Sequence, residues 1–139
     1  MKKIFLLFMS LAVLSSCSND DDANGNGDND ILGTWGLVAI NNAGNFPVTV
    51  NECSSQSQIT FNSDGTAFSE YYTQTETECT LDSEEGNWSG GRDDNKYIFK
   101  IPLLGPQPGR VEFSDDYSMF TFYPDALITQ NTNIVFEKK

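Results

Sequence analysis

The chain has 139 residues with 20 acidic side chains against 8 basic ones, a net charge of −12, and no histidine. The charge argues against nucleic acid and anionic headgroups as partners. The missing imidazole removes Ser-His-Asp and Cys-His catalytic pairs, together with the usual near-neutral proton shuttle.

The first element is an export signal. Lys2 and Lys3 give a positive start, and Ile4 to Leu14 form an apolar stretch too short to span a bilayer as a stable helix. The stretch closes in Leu14-Ser15-Ser16-Cys17, which resembles the lipobox of bacterial lipoproteins. The resemblance implies that the Cys17 sulfur receives a diacylglycerol with chains such as palmitate. It also implies that residues 1–16 are cut away, leaving Cys17 as the acylated N-terminus. Two or three acyl chains hold a protein to a membrane almost irreversibly, at about 0.8 kcal/mol per buried methylene.

Cleavage removes Lys2 and Lys3 but no acid, which moves the net charge from −12 to −14. Residues 18–30 then hold five aspartates, four asparagines, two glycines and no large apolar side chain. Such a segment cannot bury enough apolar area to fold. With Cys17 it is read as a lipidated acidic tether, residues 17–30, with an r.m.s. reach of about 20 Å. Ser18 and the acidic run after it resemble the signal that sends some Gram-negative lipoproteins to the outside of the outer membrane. The expected location is therefore the outer membrane, with the folded part displayed at the surface.

Asp20, Asp22, Asn24, Gly25, Asn26 and Asp28 also fit the first nine positions of an EF-hand loop. The twelfth position is Ile31 where a bidentate glutamate is needed, and no helix-forming sequence flanks the pattern. The tether reading is preferred, and no metal or other cofactor is expected.

Residues 31–139 are expected to form one all-β domain, because short alternating segments recur and no helical periodicity extends over ten residues. Eight strands are predicted: 32–40, 58–61, 66–73, 85–89, 96–101, 110–113, 118–123 and 133–138. Asn62-Ser63-Asp64-Gly65, Asp93-Asp94-Asn95 and Ser114-Asp115-Asp116 supply short polar turns. Alternation sends Ile59, Phe61, Tyr97, Phe99, Ile101, Val111, Phe113, Phe120, Phe122, Ile134 and Phe136 to one face. Lys96, Lys100, Arg110, Glu112 and Glu137 take the other. An antiparallel up-and-down barrel of eight strands removes exposed sheet edges; a two-sheet β-sandwich is the structural alternative.

Gly33-Thr34-Trp35 in the first strand matches the Gly-x-Trp motif of lipocalins, whose tryptophan closes one end of the barrel. Ile59 to Thr66, Gly86-Asn87-Trp88-Ser89, Tyr97-Ile98-Phe99 and the terminal Glu137-Lys138-Lys139 follow in an order that resembles small lipocalin-like domains of bacterial lipoproteins. The resemblance spans residues 31–139. The domain departs from larger lipocalins in ending at its last strand. It also lacks an arginine there to stack on the motif tryptophan, and Lys138 is the nearest substitute.

With Cys17 assigned to lipid, Cys53 and Cys79 remain as an even pair in an exported protein, and a disulfide is expected between them. It would tie the loop after the first strand to the end of the third. Two free thiols are the alternative; a closed zinc site needs four ligands and the chain has no histidine.

Glu84-Glu85, Asp93-Asp94 and Asp115-Asp116 are the carboxylate pairs available for acid-base chemistry. Adjacent strand residues point to opposite faces, so these are read as solvated acids and the protein as not an enzyme. Two loops stand out. Residues 41–53 contain Phe46-Pro47-Val48, and Ile101-Pro102-Leu103-Leu104-Gly105-Pro106-Gln107-Pro108-Gly109 is expected to be irregular, with its leucines capping the core.

The leading functional expectation is a monomeric, membrane-anchored lipoprotein whose barrel binds a small apolar or amphipathic molecule. Its binding residues would be Trp88, Tyr97, Phe99, Phe113, Phe120 and Phe122. The alternative is a filled barrel that engages a protein or glycan through its outer surface.

Overall fold

A computed structural model describes residues 29–44, 49–91, 95–101, 104–125 and 131–139. Cys17, the tether through Asp28, Phe46-Pro47-Val48, Asp93-Asp94 and Leu103 lie outside the described residues. A 3-10 turn, Asn29–Ile31, leads into β1 (Gly33–Asn41). There follow β2 (Gln58–Phe61), β3 (Thr66–Gln74), β4 (Cys79–Asn87), β5 (Ser89–Gly90), β6 (Lys96–Ile101), β7 (Gly105–Phe113), β8 (Met119–Pro124) and β9 (Asn133–Lys138).

All nine strands form one antiparallel sheet in the order β4-β3-β2-β1-β9-β8-β7-β6-β5. A single curled sheet sets aside the two-sheet sandwich. β4 and β5 stand at opposite ends of that order, yet only Trp88 separates them in the chain. The backbone itself therefore joins the two edges, and the sheet is a nearly closed barrel.

The ninth strand arises because Trp88 splits what the sequence suggests as one. Its backbone N–H donates to Gly65 O at 2.9 Å and its indole Nε1 to Asn62 O at 2.9 Å. Both bonds pull Trp88 out of the ladder toward the β2–β3 turn. Gly90 then bends at φ +124°, where an added Cβ would lie 2.0 Å from Lys96 O.

The expected strand at 85–89 begins at Cys79 because β4 pairs with β3 over nine positions, from Thr66↔Asn87 to Gln74↔Cys79. β7 begins at Gly105 rather than Arg110, which overturns the expectation that 101–109 is irregular. Its prolines fit because they face away from β6. Pro108 O accepts from Asp125 N at 2.8 Å, and in an antiparallel strand a residue's nitrogen points to the same side as its carbonyl. Pro106, two residues earlier, faces likewise, so neither missing N–H interrupts the β6–β7 ladder.

The alternation is as predicted. Ile59, Phe61, Tyr97, Phe99, Ile101, Val111, Phe120, Phe122, Ile134 and Phe136 are buried, with Phe113 partly so. A register shift between Leu37 and Ala39 marks a bulge in β1 that leaves Val38 exposed. Leu104 packs against the core as the capping reading expects.

β2 is short, and the segment before it continues its work. Ser57 O accepts from Leu37 N and Ser57 Oγ from Tyr72 N, each at 2.9 Å, bridging β1 and β3. The adjoining Cys53 and Ser54 are buried. Cys53 is disulfide-bonded to Cys79, with Cα atoms 5.6 Å apart. The bridge thus reaches the first residue of β4, not the end of β3.

Candidate functional site

The six aromatic residues expected to line a ligand site meet one another. Phe99 lies 4.4 Å from Phe122 and 6.4 Å from Phe120 between ring centroids. Phe120 lies 6.0 Å from Phe113, and Tyr97 lies 6.5 Å from Phe113 and 6.4 Å from Trp88. Phe61, Trp35 and Phe136 complete the cluster at 5.2 Å from Phe99, 4.8 Å from Phe120 and 4.8 Å from Phe120, respectively. Most contacts are edge-to-face, the geometry that ring quadrupoles favour. Trp88, Tyr97, Phe99, Phe120 and Phe122 are at most 3% exposed.

This cluster seals the end of the barrel at which β1 begins. Gly33 enters β1 with φ +110°, and the Trp35 side chain, fully buried, donates from Nε1 to Ile31 O at 2.7 Å. Ile31, itself fully buried, plugs the end beside it. Lys138 Nζ stands 5.2 Å from the centre of the Trp35 ring, a cation–π contact in the place the sequence suggested.

The opposite half of the interior carries smaller side chains, Leu37, Ile101 and Ile134, together with Tyr71. There the sheet has a seam between β4 and β6. The Tyr71 hydroxyl crosses it to donate to Lys100 O at 3.0 Å, and the Lys100 ammonium pairs with Glu84. Burial holds the Tyr71 phenol well above the usual tyrosine range, so it remains a donor.

Among the described residues the carboxylate pairs Glu84-Glu85 and Asp115-Asp116 form no acid-base site. Glu84 sits opposite Ser69 and Glu85 opposite Phe68, which places them on alternate faces of β4. Asp116 Oδ1 accepts from Ser114 Oγ at 2.7 Å, Ser118 Oγ at 2.7 Å and Ser118 N at 3.1 Å. Those donors stabilise the charged form and lower its pKa to about 2. Among the described residues no group of three or more His, Cys, Asp or Glu side chains is arranged to hold a metal, and no helix is long and apolar enough to cross a membrane.

One concavity was not foreseen. Asp30, Asn95, Phe113, Ser114, Asp115 and Tyr117 line a groove of about 400 Å3 on the outside of the sealed end. Phe113 figured in the sequence reading as a core residue, Asn95, Ser114 and Asp115 as turn residues and Asp30 as the end of the tether, while Tyr117 did not figure at all. The six come from three separate segments whose proximity no local pattern encodes.

A one-sheet barrel whose first strand opens on Gly33-Thr34-Trp35 and whose tryptophan plugs one end defines a lipocalin-like protein. The chain matches the lipocalin-like domain family over residues 31–101, half of its length, and belongs to that family. Residues 1–18 match the prokaryotic membrane lipoprotein lipid attachment site. The chain is accordingly a membrane-anchored bacterial envelope lipoprotein with a lipocalin-like barrel. No curated protein matches it.

Proposed function

We propose that this lipoprotein is a binding module, not a catalyst, whose barrel is filled by its own side chains and which recognises a partner through its outer surface. The observation that carries the reading is the ring network. The residues best suited to grip an apolar ligand, Phe99, Phe120 and Phe122 above all, already contact one another at 4.4–6.4 Å. A ligand at that end would have to displace core packing, and opening such a core costs several kcal/mol. The absence of histidine and the divergence of Glu84 and Glu85 support binding over chemistry.

A small amphipathic ligand in the opposite half is the second reading, favoured by the smaller side chains Leu37, Ile101 and Ile134 there. Native mass spectrometry of the lipidated protein from its own host separates the two. The filled barrel predicts no stoichiometric small molecule released on denaturation. A stoichiometric apolar molecule establishes the ligand reading instead.

The anchor is placed at the outer membrane, facing outward, on the strength of Ser18 and the aspartates after it. Protease treatment of intact cells should remove the barrel if that location is right, and Cys17→Ala should free the protein from the membrane fraction. A barrel protected in intact cells would place it on an inner face.

A further inference from the structure

The groove outside the sealed end has the chemistry of a binding site. Its two rings, Phe113 and Tyr117, lie 5.7 Å apart at 38° to each other, and Tyr117 is 49% exposed. Around them stand two carboxylates, Asp30 and Asp115, the Asn95 amide and the Ser114 hydroxyl.

The turn that presents Tyr117 is held from within. Tyr117 N donates to Ser114 O at 2.9 Å, Met119 N donates to Ser114 Oγ at 3.0 Å, and the Asp116 carboxylate gathers Ser114 and Ser118. The backbone at Tyr117 is left-handed, φ +54°, as it is at Asn95, φ +51°. A bulky side chain is an outlier in that region, where glycine would sit without strain. Packing against Phe113 accounts for part of the Tyr117 ring, but about half of it faces solvent. Strain of this kind at an exposed, rigidly presented aromatic points to what the ring touches outside the chain.

The lining decides the ligand class. Among the described residues no basic side chain lines the groove, and the two carboxylates there, Asp30 and Asp115, repel phosphate, sulfate and carboxylate ligands. Four hydrogen-bonding side chains against two rings disfavour a fatty chain. A polyhydroxylated ring satisfies both sets of groups. Its C–H face lies on an aromatic surface, and its hydroxyls donate to carboxylates, exchange bonds with the Asn95 amide and donate to the remaining lone pair of Ser114 Oγ. We infer that the Phe113–Tyr117 groove binds a neutral saccharide. The inference rests on the surface-recognition reading above and gives it a site and a ligand class.

The test uses the lipidated protein in nanodiscs of sugar-free phospholipid. It is screened on an array of neutral and charged glycans and then titrated calorimetrically with malto-, cello-, manno- and chitohexaose. A neutral glycan is expected to bind with a Kd of about 10 μM to 1 mM. Tyr117→Gly should weaken it at least about tenfold while keeping the melting temperature, because the variant removes the ring and relaxes the backbone. Tyr117→Phe should stay within about threefold, because the stacking face remains.

Absence of binding by every neutral glycan, or Tyr117→Gly that binds as well as wild type, overturns the saccharide groove. Hexylamine or phosphocholine binding in preference to the neutral sugars also overturns it, in favour of a cation held between carboxylates and rings. A negative glycan screen with an empty barrel sinks the groove and leaves surface recognition of a protein partner. A co-purifying apolar molecule sinks the filled barrel and leaves the Tyr117 comparison to be judged by its own titration.

Discussion

Strands β8, β9 and β1 and the hairpin β3–β4 belong to one sheet but are held by different physics. The first group buries Trp35, Leu37, Phe120, Phe122, Ile134 and Phe136. In β4 no residue is buried, and the side chains on the same face as buried Ala67, Ser69 and Tyr71 of β3 are Gly86, Glu84 and Asp82. β4 is fastened instead by its nine-position ladder to β3, by the Cys53–Cys79 disulfide and by the Glu84–Lys100 pair across the seam, with the Tyr71 hydroxyl tying β3 to β6 beside it. Where apolar burial is dense the ladder follows from the core. Where it is absent, hydrogen bonds and a covalent bridge must keep the strand in place.

The contrast is most sharply tested by Phe120→Ala, which removes the ring that touches Trp35 and Phe136 at 4.8 Å each. A loss of about 3–5 kcal/mol is expected in urea unfolding. A loss under 1 kcal/mol would show that the sealed end is loosely packed. Replacing Cys53 and Cys79 together by serine should cost about 2–4 kcal/mol. Hydrogen exchange should then quicken first in β4, while β8, β9 and β1 keep their protection. Uniform acceleration would mean that the hairpin and the core open as one unit.

Gly109→Ala places a Cβ 2.5 Å from the Phe122 ring and from Tyr123 O. About 1–3 kcal/mol of overpacking destabilisation is expected, read as a lower melting temperature. Tyr71→Phe deletes the bond to Lys100 O across the seam and should cost about 1 kcal/mol. Its signature is faster exchange local to β3 and β6 with the sealed end unchanged.

The smallest effect concerns Asp116. Its folded pKa of about 2 lies below the ordinary 3.8, so the unfolded chain binds more protons as pH falls. The stabilisation is present above about pH 4 and is lost between about pH 4 and 2. Asp116→Asn should flatten that part of the acid-unfolding profile. A profile with the same slope in both proteins would show that the serine bonds are not maintained in solution.

Much of this was legible in the chain because it depends on local rules. Two-residue alternation separated Phe120 and Phe122 from Thr121, and Ile134 and Phe136 from Glu137. An even pair of cysteines in an exported chain foretold the bridge. The prolines of β7 misled because proline is unfavourable in a ladder only when its nitrogen faces a partner, and that facing is set by pairing register. β4 was half missed for the complementary reason. A strand with nothing to bury carries no alternation, and Cys79 to Ser83 join the sheet because β3 offers a long edge.

The sequence by itself determined the barrel class, the inward face and the cysteine pairing, which follow from alternation and composition, and the anchor, which follows from the likeness of Leu14-Ser15-Ser16-Cys17 to a lipobox. Tertiary structure alone decided that Trp88 splits a strand, that the inward rings fill the sealed end, and that Asp30, Asn95, Phe113 and Tyr117 share one groove. Those outcomes depend on distances between segments up to 87 positions apart, which only the closing of the sheet brings together.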